Sequence, residues 1–218
     1  MLICGKCGRK RLQREPYMNI SLPLAKELML QPEGCIQSPF ATKLPPCKAS
    51  LSLLSCLEHF TTPEALVDPV FCVDCGEKTP TLKQHTFAKL SRVVCFHLKR
   101  FDFQTNKKIT EPVTFPTSLN MGSYLPGWRE VIQGDIDSLS DLARLNPRED
   151  ESVTPLVMYD LFATIEHTGS LNQGHYVSNV KINGKWYHCN DSIVSHTVEA
   201  NVMNSENVYM LFYTRRNI

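Results

Sequence analysis

Two copies of the pattern Cys-x-x-Cys-Gly constrain the fold of this chain more than any other feature. The first copy contains Cys4 and Cys7, and the second contains Cys72 and Cys75. A two-residue gap turns both sulfurs of a pair toward one point, and the glycine that follows relieves the turn. One pair alone would fit a redox dithiol, but two matching pairs complete the tetrahedral ligand set of a structural zinc. We therefore predict a zinc ribbon interrupted by a large insertion.

The composition is that of an ordinary soluble protein in a reducing compartment. The 218 residues are 42% hydrophobic and 21% charged, with a formal net charge of +1. This balance gives no general attraction to nucleic acid or membranes, and the one basic run, Arg9–Arg14, lacks interleaved aromatic residues that stack bases. Nine cysteines without a secretory signal indicate thiols that bind metal or lie buried. We expect a nuclear or cytosolic protein with no direct nucleic-acid or membrane binding.

The stretch from Ala163 to Asp191 carries the second strong pattern, which predicts one strand and then a β-hairpin of two further strands. The two strand-like runs of the hairpin are joined by the pair Asn183-Gly184. An Asn-Gly pair in this position is the strongest short-range hairpin signal. The fold-back should bring His175 and Asn190 into the same neighbourhood. An imidazole beside a side-chain carbonyl is the base-and-orienter half of a Cys-His-Asn constellation.

The sequence HTGSLNQGHYVSNV, followed by GKWYHCNDS, closely resembles the His box of the ubiquitin-specific proteases, which are papain-like cysteine enzymes of the USP/UCH family. A second stretch, VVCFHLKRFDF, with the lysine-rich loop and Phe-Pro pair after it, resembles another hallmark of that family. The resemblance covers essentially the whole chain. It implies hydrolysis of the bond that follows the C-terminal glycine of ubiquitin.

The resemblance also implies a role for each residue of the His box. His175 would take a proton from a cysteine thiol and later protonate the leaving lysine amine. Asn190 aligns with the third triad position as the orienter of the imidazole, and adjacent Asp191 would be a supporting carboxylate. The division of roles between these two residues stays open. Three further residues are expected to bind the Gly-Gly tail of ubiquitin, by leaving room for it or by forming aromatic walls: Gly174, Tyr176 and Trp186.

The nucleophile of the family has no recognisable counterpart in this sequence. The family carries it in a run like Gly-Asn-Thr-Cys-Phe ahead of the fingers, whereas each cysteine here belongs to a zinc pair or lacks that context. We therefore expect about the second half of a catalytic domain, which should not hydrolyse ubiquitin conjugates alone. Two classes of function remain: a thiol-dependent deubiquitinase or its C-terminal half, and a non-catalytic zinc module that binds ubiquitin or a partner complex.

The expected fold class is α+β, with a papain-like half palm of antiparallel strands and a zinc-bound fingers β-ribbon. The fingers would occupy residues 1–80 and the palm residues 81–218, with a flexible insertion at 129–155. Apolar spacing predicts a helix within Leu51–Phe60, and Thr62-Pro63-Glu64 has the pattern of a helix start. The palm strands are expected in three ranges: 81–101, 159–191 and 206–214.

Within the family, the run VVCFHLKRFDF and the sequence CNDSIVS most resemble the histone-deubiquitinating subunit of the SAGA coactivator. This finer resemblance implies monoubiquitinated histone H2B as substrate and the other subunits of the SAGA deubiquitinase module as partners. It also implies a nuclear location, with the cytoplasm as the alternative. The stretches Asp102–Pro112 and Gly169–Gly174 fall where the family carries two loops over the ubiquitin tail.

Overall fold

The computed structural model describes residues 1–24, 51–102, 105–125, 156–170 and 173–216. The predicted insertion at 129–155 lies outside the described residues, as do Cys35 and Cys47. No helix within these ranges combines the length and the apolar character needed to cross a membrane. The strands, in chain order, are β1 (Leu2–Cys4), β2 (Lys10–Arg11), β3 (Ile20–Pro23), β4 (Leu51–Ser52), β5 (Glu64–Ala65), β6 (Val70–Cys72), β7 (Glu77–Thr79), β8 (Thr81–Lys83), β9 (Val93–Lys99), β10 (Phe101–Asp102), β11 (Lys107–Lys108), β12 (Val113–Thr114), β13 (Ser118–Asn120), β14 (Met158–Gly169), β15 (Gly174–Ile182), β16 (Lys185–Asn190), β17 (Ile193–Thr197) and β18 (Val208–Arg215). The helices are α1 (Leu53–Thr61) and α2 (Glu199–Met203), and a short 3-10 helix covers Gly122–Tyr124.

The chain divides into two compact units. The first unit comprises Met1–Tyr17, Thr61–Leu90 and Asn120–Met158, and the second comprises Met18–Phe60, Ser91–Leu119 and Tyr159–Ile218. The predicted helix of residues 51–60 is confirmed as α1, which begins two residues later than expected.

The first unit contains a four-stranded sheet in the order β2-β1-β8-β5 and the separate hairpin β6-β7. Thr81–Lys83, expected to open the palm, pairs instead with β1, where Ile3 and Leu82 face each other and are buried. Glu64–Ala65, expected to begin a helix, forms strand β5 of the same sheet. Pairing with β8 overrides the local helix-start signal, which is only a weak preference.

The second unit contains an eight-stranded sheet. Seven strands follow the order β17-β16-β15-β14-β18-β9-β3, and β13 pairs with β14 beside that path. Neighbours along the path are antiparallel, except that β3 runs parallel to β9. Strand β3, which we expected within the fingers at residues 1–80, is the parallel strand at one edge of this sheet. Pro23 is tolerated there because the outward edge of an edge strand needs no donor.

The core of the second unit lies on the face of the sheet to which β9 and β18 contribute alternate side chains. Val94, Phe96 and Leu98 are fully buried on β9. Leu211 and Tyr213 face them from β18, and the ring centroids of Phe96 and Tyr213 are 5.8 Å apart. The apolar runs VVCFHL and VYMLFY therefore form central strands, as the sequence predicts.

Arg100 follows β9 and is a buried cation, with only 4% of its surface exposed. Its Nε donates to the carbonyl of Val208 at 2.6 Å, and its Nη1 donates to the carbonyls of Ile109 and Glu111 at 3.1 and 2.8 Å. Its Nη2 is 3.4 Å from the carbonyl of Glu206. Burial lowers the pKa of this guanidinium, which nevertheless stays protonated. Arg100 thus ties the segments around Val208 and Ile109 together.

Candidate active site and metal site

The hairpin of β15 and β16 brings the two predicted site residues together. Asn183 has φ 50° and Gly184 has φ 79°. Two consecutive positive φ angles define the type I′ turn that an Asn-Gly pair favours. The returning strand places the Oδ1 atom of Asn190 2.6 Å from the Nε2 atom of His175. The contact predicted from the sequence is present.

The hydrogen bond to Asn190 determines how the imidazole of His175 can act. An amide oxygen only accepts, so Nε2 carries the proton and donates it, and Nδ1 keeps a lone pair. His175 is exposed, so this second nitrogen is accessible to a reacting group. A fixed ring with an open acceptor has the arrangement required of a general base.

Asp191 occupies the turn after β16 rather than a place beside the imidazole. Its φ is 51°, a conformation that aspartate tolerates better than most residues. Its side chain is exposed, and no hydrogen bond or ion pair joins it to His175 in the part of the chain that the structure describes. The direct contact belongs to Asn190, and the supporting role of Asp191 stays a prediction.

A polar network lies behind the pair, on the same face of the sheet as His175. Asn179 is 3% exposed, and its Oδ1 accepts a hydrogen bond from His188 Nδ1 at 2.9 Å. Its Nδ2 donates to two side chains of β14, Thr164 at 3.1 Å and Glu166 at 2.7 Å. A buried network whose members are bonded to one another fixes the strands that carry them. It therefore ties β14, β15 and β16 together on the face that carries His175 and Asn190.

Tyr176 faces the opposite side of the sheet from His175, because successive side chains of a strand alternate. Its ring centroid lies 4.5 Å from that of His167 and 6.0 Å from that of Tyr209. Tyr209 also meets His97, at 4.8 Å. Burial lowers the pKa of both histidines, so these rings are neutral at neutral pH. Tyr176 is 54% exposed and offers an aromatic surface on the face of the sheet opposite to His175.

Gly174 lacks a side chain for a reason that the sequence did not reveal. A Cβ atom at this position would lie 2.0 Å from the Nε2 atom of His167. The absence of a side chain therefore leaves room for the imidazole of His167, which lies against this position. The expected role of Gly174 in binding the tail of ubiquitin stays a prediction.

The position of Trp186 differs from that expected of an aromatic wall of the substrate channel. Its indole is 3% exposed, and Nε1 donates to the Oε2 atom of Glu199 in α2 at 3.2 Å. It lies on the face of Asn190, but about 13 Å along the strand from it at the usual rise per residue. A buried side chain at that distance forms no wall of a substrate channel beside His175. Trp186 instead anchors α2 to the sheet.

Replacing Gly174 by alanine is expected to move the ring of His167 off Tyr176 and to lower the free energy of unfolding by about 1–2 kcal/mol. The new methyl group and the ring cannot share the same space. NMR signals of the two rings and denaturant unfolding would check this. Gly184→Ala is a control for the ring positions only: its φ of 79° makes alanine lower the free energy of unfolding as well, but nothing lies within 4 Å of its Cβ position, so both rings should stay in place. Unchanged His167 signals in Gly174→Ala would contradict the assignment.

The four cysteines of the two Cys-x-x-Cys pairs form one cluster. The sulfurs of Cys4 and Cys75 are 3.9 Å apart, and those of Cys7 and Cys72 are 3.7 Å apart. All four sulfur atoms lie within 4.8 Å of one another. A tetrahedral ion with Zn–S bonds of 2.3 Å holds its sulfurs about 3.8 Å apart. The cluster could therefore bind a metal ion, and its dimensions fit zinc with no ligand position left open.

The surroundings act differently on the individual sulfurs of the cluster: burial raises the pKa of the Cys75 thiol to about 12, whereas hydrogen bonds favour ionised sulfur at Cys4. Burial opposes ionisation of the Cys4 thiol, but a 3.1 Å hydrogen bond with Thr79 Oγ1 and bonds from backbone amides lower its pKa to about 6. A thiolate is the form that binds metal. Two exposed ion pairs also connect the two halves of the cluster: Lys6–Glu77 and Arg9–Asp74.

None of the described cysteine thiols is hydrogen-bonded to His175. Cys189 lies on β16 next to Asn190, and its side chain points to the opposite face. Cys56 and Cys95 are buried, and burial raises the pKa of both thiols, that of Cys56 to about 11. These groups are therefore poor nucleophiles. The expected absence of a nucleophile in the whole chain stays a prediction.

Comparison with known proteins identifies the family. A sequence model described as "Ubiquitin carboxyl-terminal hydrolase" matches residues 1–213. The chain belongs to the ubiquitin carboxyl-terminal hydrolase family. Among its relatives, Ubiquitin C-terminal hydrolase 22 of Arabidopsis thaliana is 30% identical over 99% of this chain and 40% of that protein. Ubiquitin carboxyl-terminal hydrolase 51 of Mus musculus is 36% identical over 77% of this chain and 24% of that protein.

Solved structures of the family share the fold. The SAGA Ubp8/Sgf11/Sus1/Sgf73 DUB module bound to ubiquitin aldehyde matches with a TM-score of 0.69 and 26% identity, over 100% of this chain and 40% of that chain. The same module bound to monoubiquitin matches with a TM-score of 0.71 and 26% identity, over 100% of this chain and 39% of that chain. The family resemblance and the papain-like fold are thus confirmed. The chain spans less than half the length of these family members.

Proposed function

We propose that this chain provides the base and the orienting amide of a cysteine-type deubiquitinase, which hydrolyses the bond after the C-terminal glycine of ubiquitin. The contact of 2.6 Å between His175 Nε2 and Asn190 Oδ1 carries the proposal. It leaves Nδ1 as the acceptor for a thiol proton. Membership of the ubiquitin carboxyl-terminal hydrolase family supplies the substrate class.

The thiol in this proposal comes from a segment of the kind that the family places ahead of its fingers. Nδ1 of His175 accepts the thiol proton, and the imidazolium then protonates the leaving lysine amine. A water molecule, deprotonated by the same nitrogen, hydrolyses the thioester. Asn190 accepts the Nε2 proton throughout, so the ring keeps its orientation. A neutral amide supports the imidazolium less than a carboxylate would.

The four-cysteine cluster is proposed to hold a structural zinc. A closed set of four thiolates leaves no position for substrate or water, so the ion would take no part in hydrolysis. Its contribution would be to join chain segments that are distant in the sequence. The cluster consists of Cys4, Cys7, Cys72 and Cys75.

The likeness to solved SAGA DUB modules supports a finer proposal about the substrate and partners. The substrate would be monoubiquitinated histone H2B, and the partners would be the other subunits of such a module. A nuclear location belongs to the same proposal. Ubiquitin is the partner with the most direct support, because both of those solved modules are bound to a form of ubiquitin.

A non-catalytic ubiquitin-binding module is the second candidate. The observation that favours it is the absence of a thiol beside His175 among the described residues. A pure binder, however, has no chemical need for the fixed imidazole. Both candidates recognise ubiquitin, so binding alone does not separate them.

Two measurements test the proposal. Isotope-labelled ubiquitin titrated with the 218-residue chain should show its largest NMR shifts in the C-terminal tail, and ubiquitin without the final Gly-Gly should bind more weakly. Equal binding of both forms would contradict recognition of the tail. A thiol-reactive ubiquitin probe should leave this chain unlabelled and should label it once a family segment that carries the thiol is joined to it. Failure of the joined protein to react would favour the binding module.

A further inference from the structure

Lys108 reaches the strand that pairs with His175. Its Nζ atom donates to the carbonyl of His167 at 2.7 Å and to that of Gly169 at 3.1 Å. These carbonyls belong to the residues on either side of Thr168, and Thr168 is the register partner of His175. One ammonium group therefore holds the backbone on both sides of the residue that lies opposite the proposed base.

The end of β14 needs a donor at this place because its neighbour on that side has ended. Strand β18 begins at Val208, and its pairing with β14 stops where Val208 meets Glu166. The next amide, that of His167, donates to the carbonyl of Asn207 at 3.0 Å. Beyond that bond β14 continues to Gly169, and the three donors of a lysine ammonium replace those of a strand.

Several contacts converge on His167, the first of the two residues held by Lys108. Its ring fills the space above Gly174 and packs against Tyr176. Gly174 and Tyr176 are the two chain neighbours of His175. A shift in the backbone of His167 is therefore transmitted to both sides of the proposed base.

Lys108 itself is held firmly. Strand β11 pairs it with Phe101 in β10. The next residue, Ile109, donates its amide to the carbonyl of Arg100 at 2.8 Å and accepts from its guanidinium. Burial, followed by the charge of Arg100, lowers the pKa of the Lys108 ammonium. Burial and the charge of Arg100 disfavour the charged ammonium, and its hydrogen bonds to the two carbonyls of β14 offset part of that cost.

We propose that Lys108 is a positioning residue for His175, which holds the edge of β14 against which the strand of the base is paired. Through this bond the segment 105–112 and the end of β14 move as one body. The catalytic meaning of this inference rests on the proposed function, because His175 acts as a base only if that function holds. The contact of Lys108 with β14 and its effect on the position of His175 do not depend on that function.

The first test uses the unaltered protein. The ammonium protons of Lys108 should exchange with water measurably more slowly than those of Lys107, which is exposed, because only Lys108 donates to two carbonyls. NMR detection of lysine ammonium groups at low temperature measures both. Equal exchange of the two groups would overturn the inference.

The second test replaces Lys108 by methionine, which keeps the length of the side chain and removes the charge. The amides of residues 175–177 should exchange about ten- to hundredfold faster, as the loss of a bond to a charged donor predicts. The Nε2 proton signal of His175 should also shift. Exchange in the core strands β9 and β18 should stay the same, since Lys108 has no contact there that the structure describes.

Lys107→Met is the matched control and should leave all of these signals unchanged. Lys108→Arg should restore most of the protection, because a guanidinium also donates to two acceptors. Unaltered exchange in Lys108→Met overturns the inference, and so does an equal loss of protection throughout the sheet. If Lys108→Met fails to fold, the inference is tested by the ammonium exchange of the unaltered protein and by the amide exchange of Lys108→Arg.

These readouts involve no ubiquitin. If the His175 signals respond to Lys108 while ubiquitin binding is independent of its tail, the positioning contact holds and the proposed function fails. If the chain joined to a segment that carries the thiol reacts with the ubiquitin probe and the His175 signals ignore Lys108, the proposed function holds and the positioning role fails.

Discussion

Cys72→Ser is expected to release the metal ion and to unfold the first unit of the chain. Structural zinc sites of this kind contribute about 10–16 kcal/mol of apparent binding free energy, which is also folding free energy. The apolar cluster of Ile3 and Leu82, with Met1 packed against it, is small, so the proposed ion would supply most of the stability of the sheet around β1 and β8. Metal analysis should show one zinc per wild-type chain and none in the variant. Amide exchange should show loss of protection in β1 and β8.

Cys189→Ser is the control for this result. Cys189 is a free thiol outside the cluster, so its replacement should keep the zinc and the protection of β1 and β8. A strong chelator added to the wild-type protein should reproduce the effect of Cys72→Ser. Full zinc content in Cys72→Ser, or a first unit that stays folded after chelation, would show that the cluster is not a structural zinc site.

Arg100→Met is expected to lower the free energy of unfolding of the second unit by about 3–5 kcal/mol. The variant removes the donor for the carbonyls of Val208, Ile109 and Glu111 at once. Buried carbonyls left without a donor account for the size of this effect. Denaturant unfolding followed by the tyrosine and tryptophan signals of this unit measures the loss.

Two control variants separate the loss of the hydrogen bonds of Arg100 from the loss of a charge. Lys99→Met alters the exposed neighbour and should cost less than about 0.5 kcal/mol, as surface substitutions do. Arg100→Lys should recover part of the loss, because one ammonium cannot reach carbonyls that the guanidinium contacts in different directions. A loss in Arg100→Met as small as that in Lys99→Met would contradict the structural role of Arg100.

Local chemistry made part of this fold predictable from sequence. Asn183-Gly184 specifies a turn because both residues accept positive φ, and that turn alone brings Asn190 back to His175. The two Cys-x-x-Cys pairs define their own ligand geometry in the same way. The central strands β9 and β18 are long apolar runs, which need burial on both sides. In each case, residues close in the chain contain most of the signal, although the two cysteine pairs meet across the long stretch between Cys7 and Cys72.

Sequence patterns do not predict contacts that come from distant segments. Trp186 lies near the base in sequence, yet its position along β16 places it under α2. Gly174 has the small size that a substrate channel needs, and no local pattern indicates that the ring of His167 in β14 lies against it. Lys108 sits in a lysine-rich loop where no local pattern indicates which carbonyls it binds. Strand register and the ends of neighbouring strands decide these contacts.

NMR of the imidazole nitrogens shows whether Asn190 orients the proposed base. In the neutral ring of His175 we expect a protonated Nε2 and an unprotonated Nδ1, with an Nε2 proton that exchanges slowly because Asn190 accepts it. Asn190→Ala should abolish this slow exchange, and Asp191→Asn, which removes the charge and tolerates the positive φ of 51°, should retain it. A neutral ring protonated on Nδ1, or an Nε2 proton that depends on Asp191 and ignores Asn190, would show that Asn190 does not orient the base.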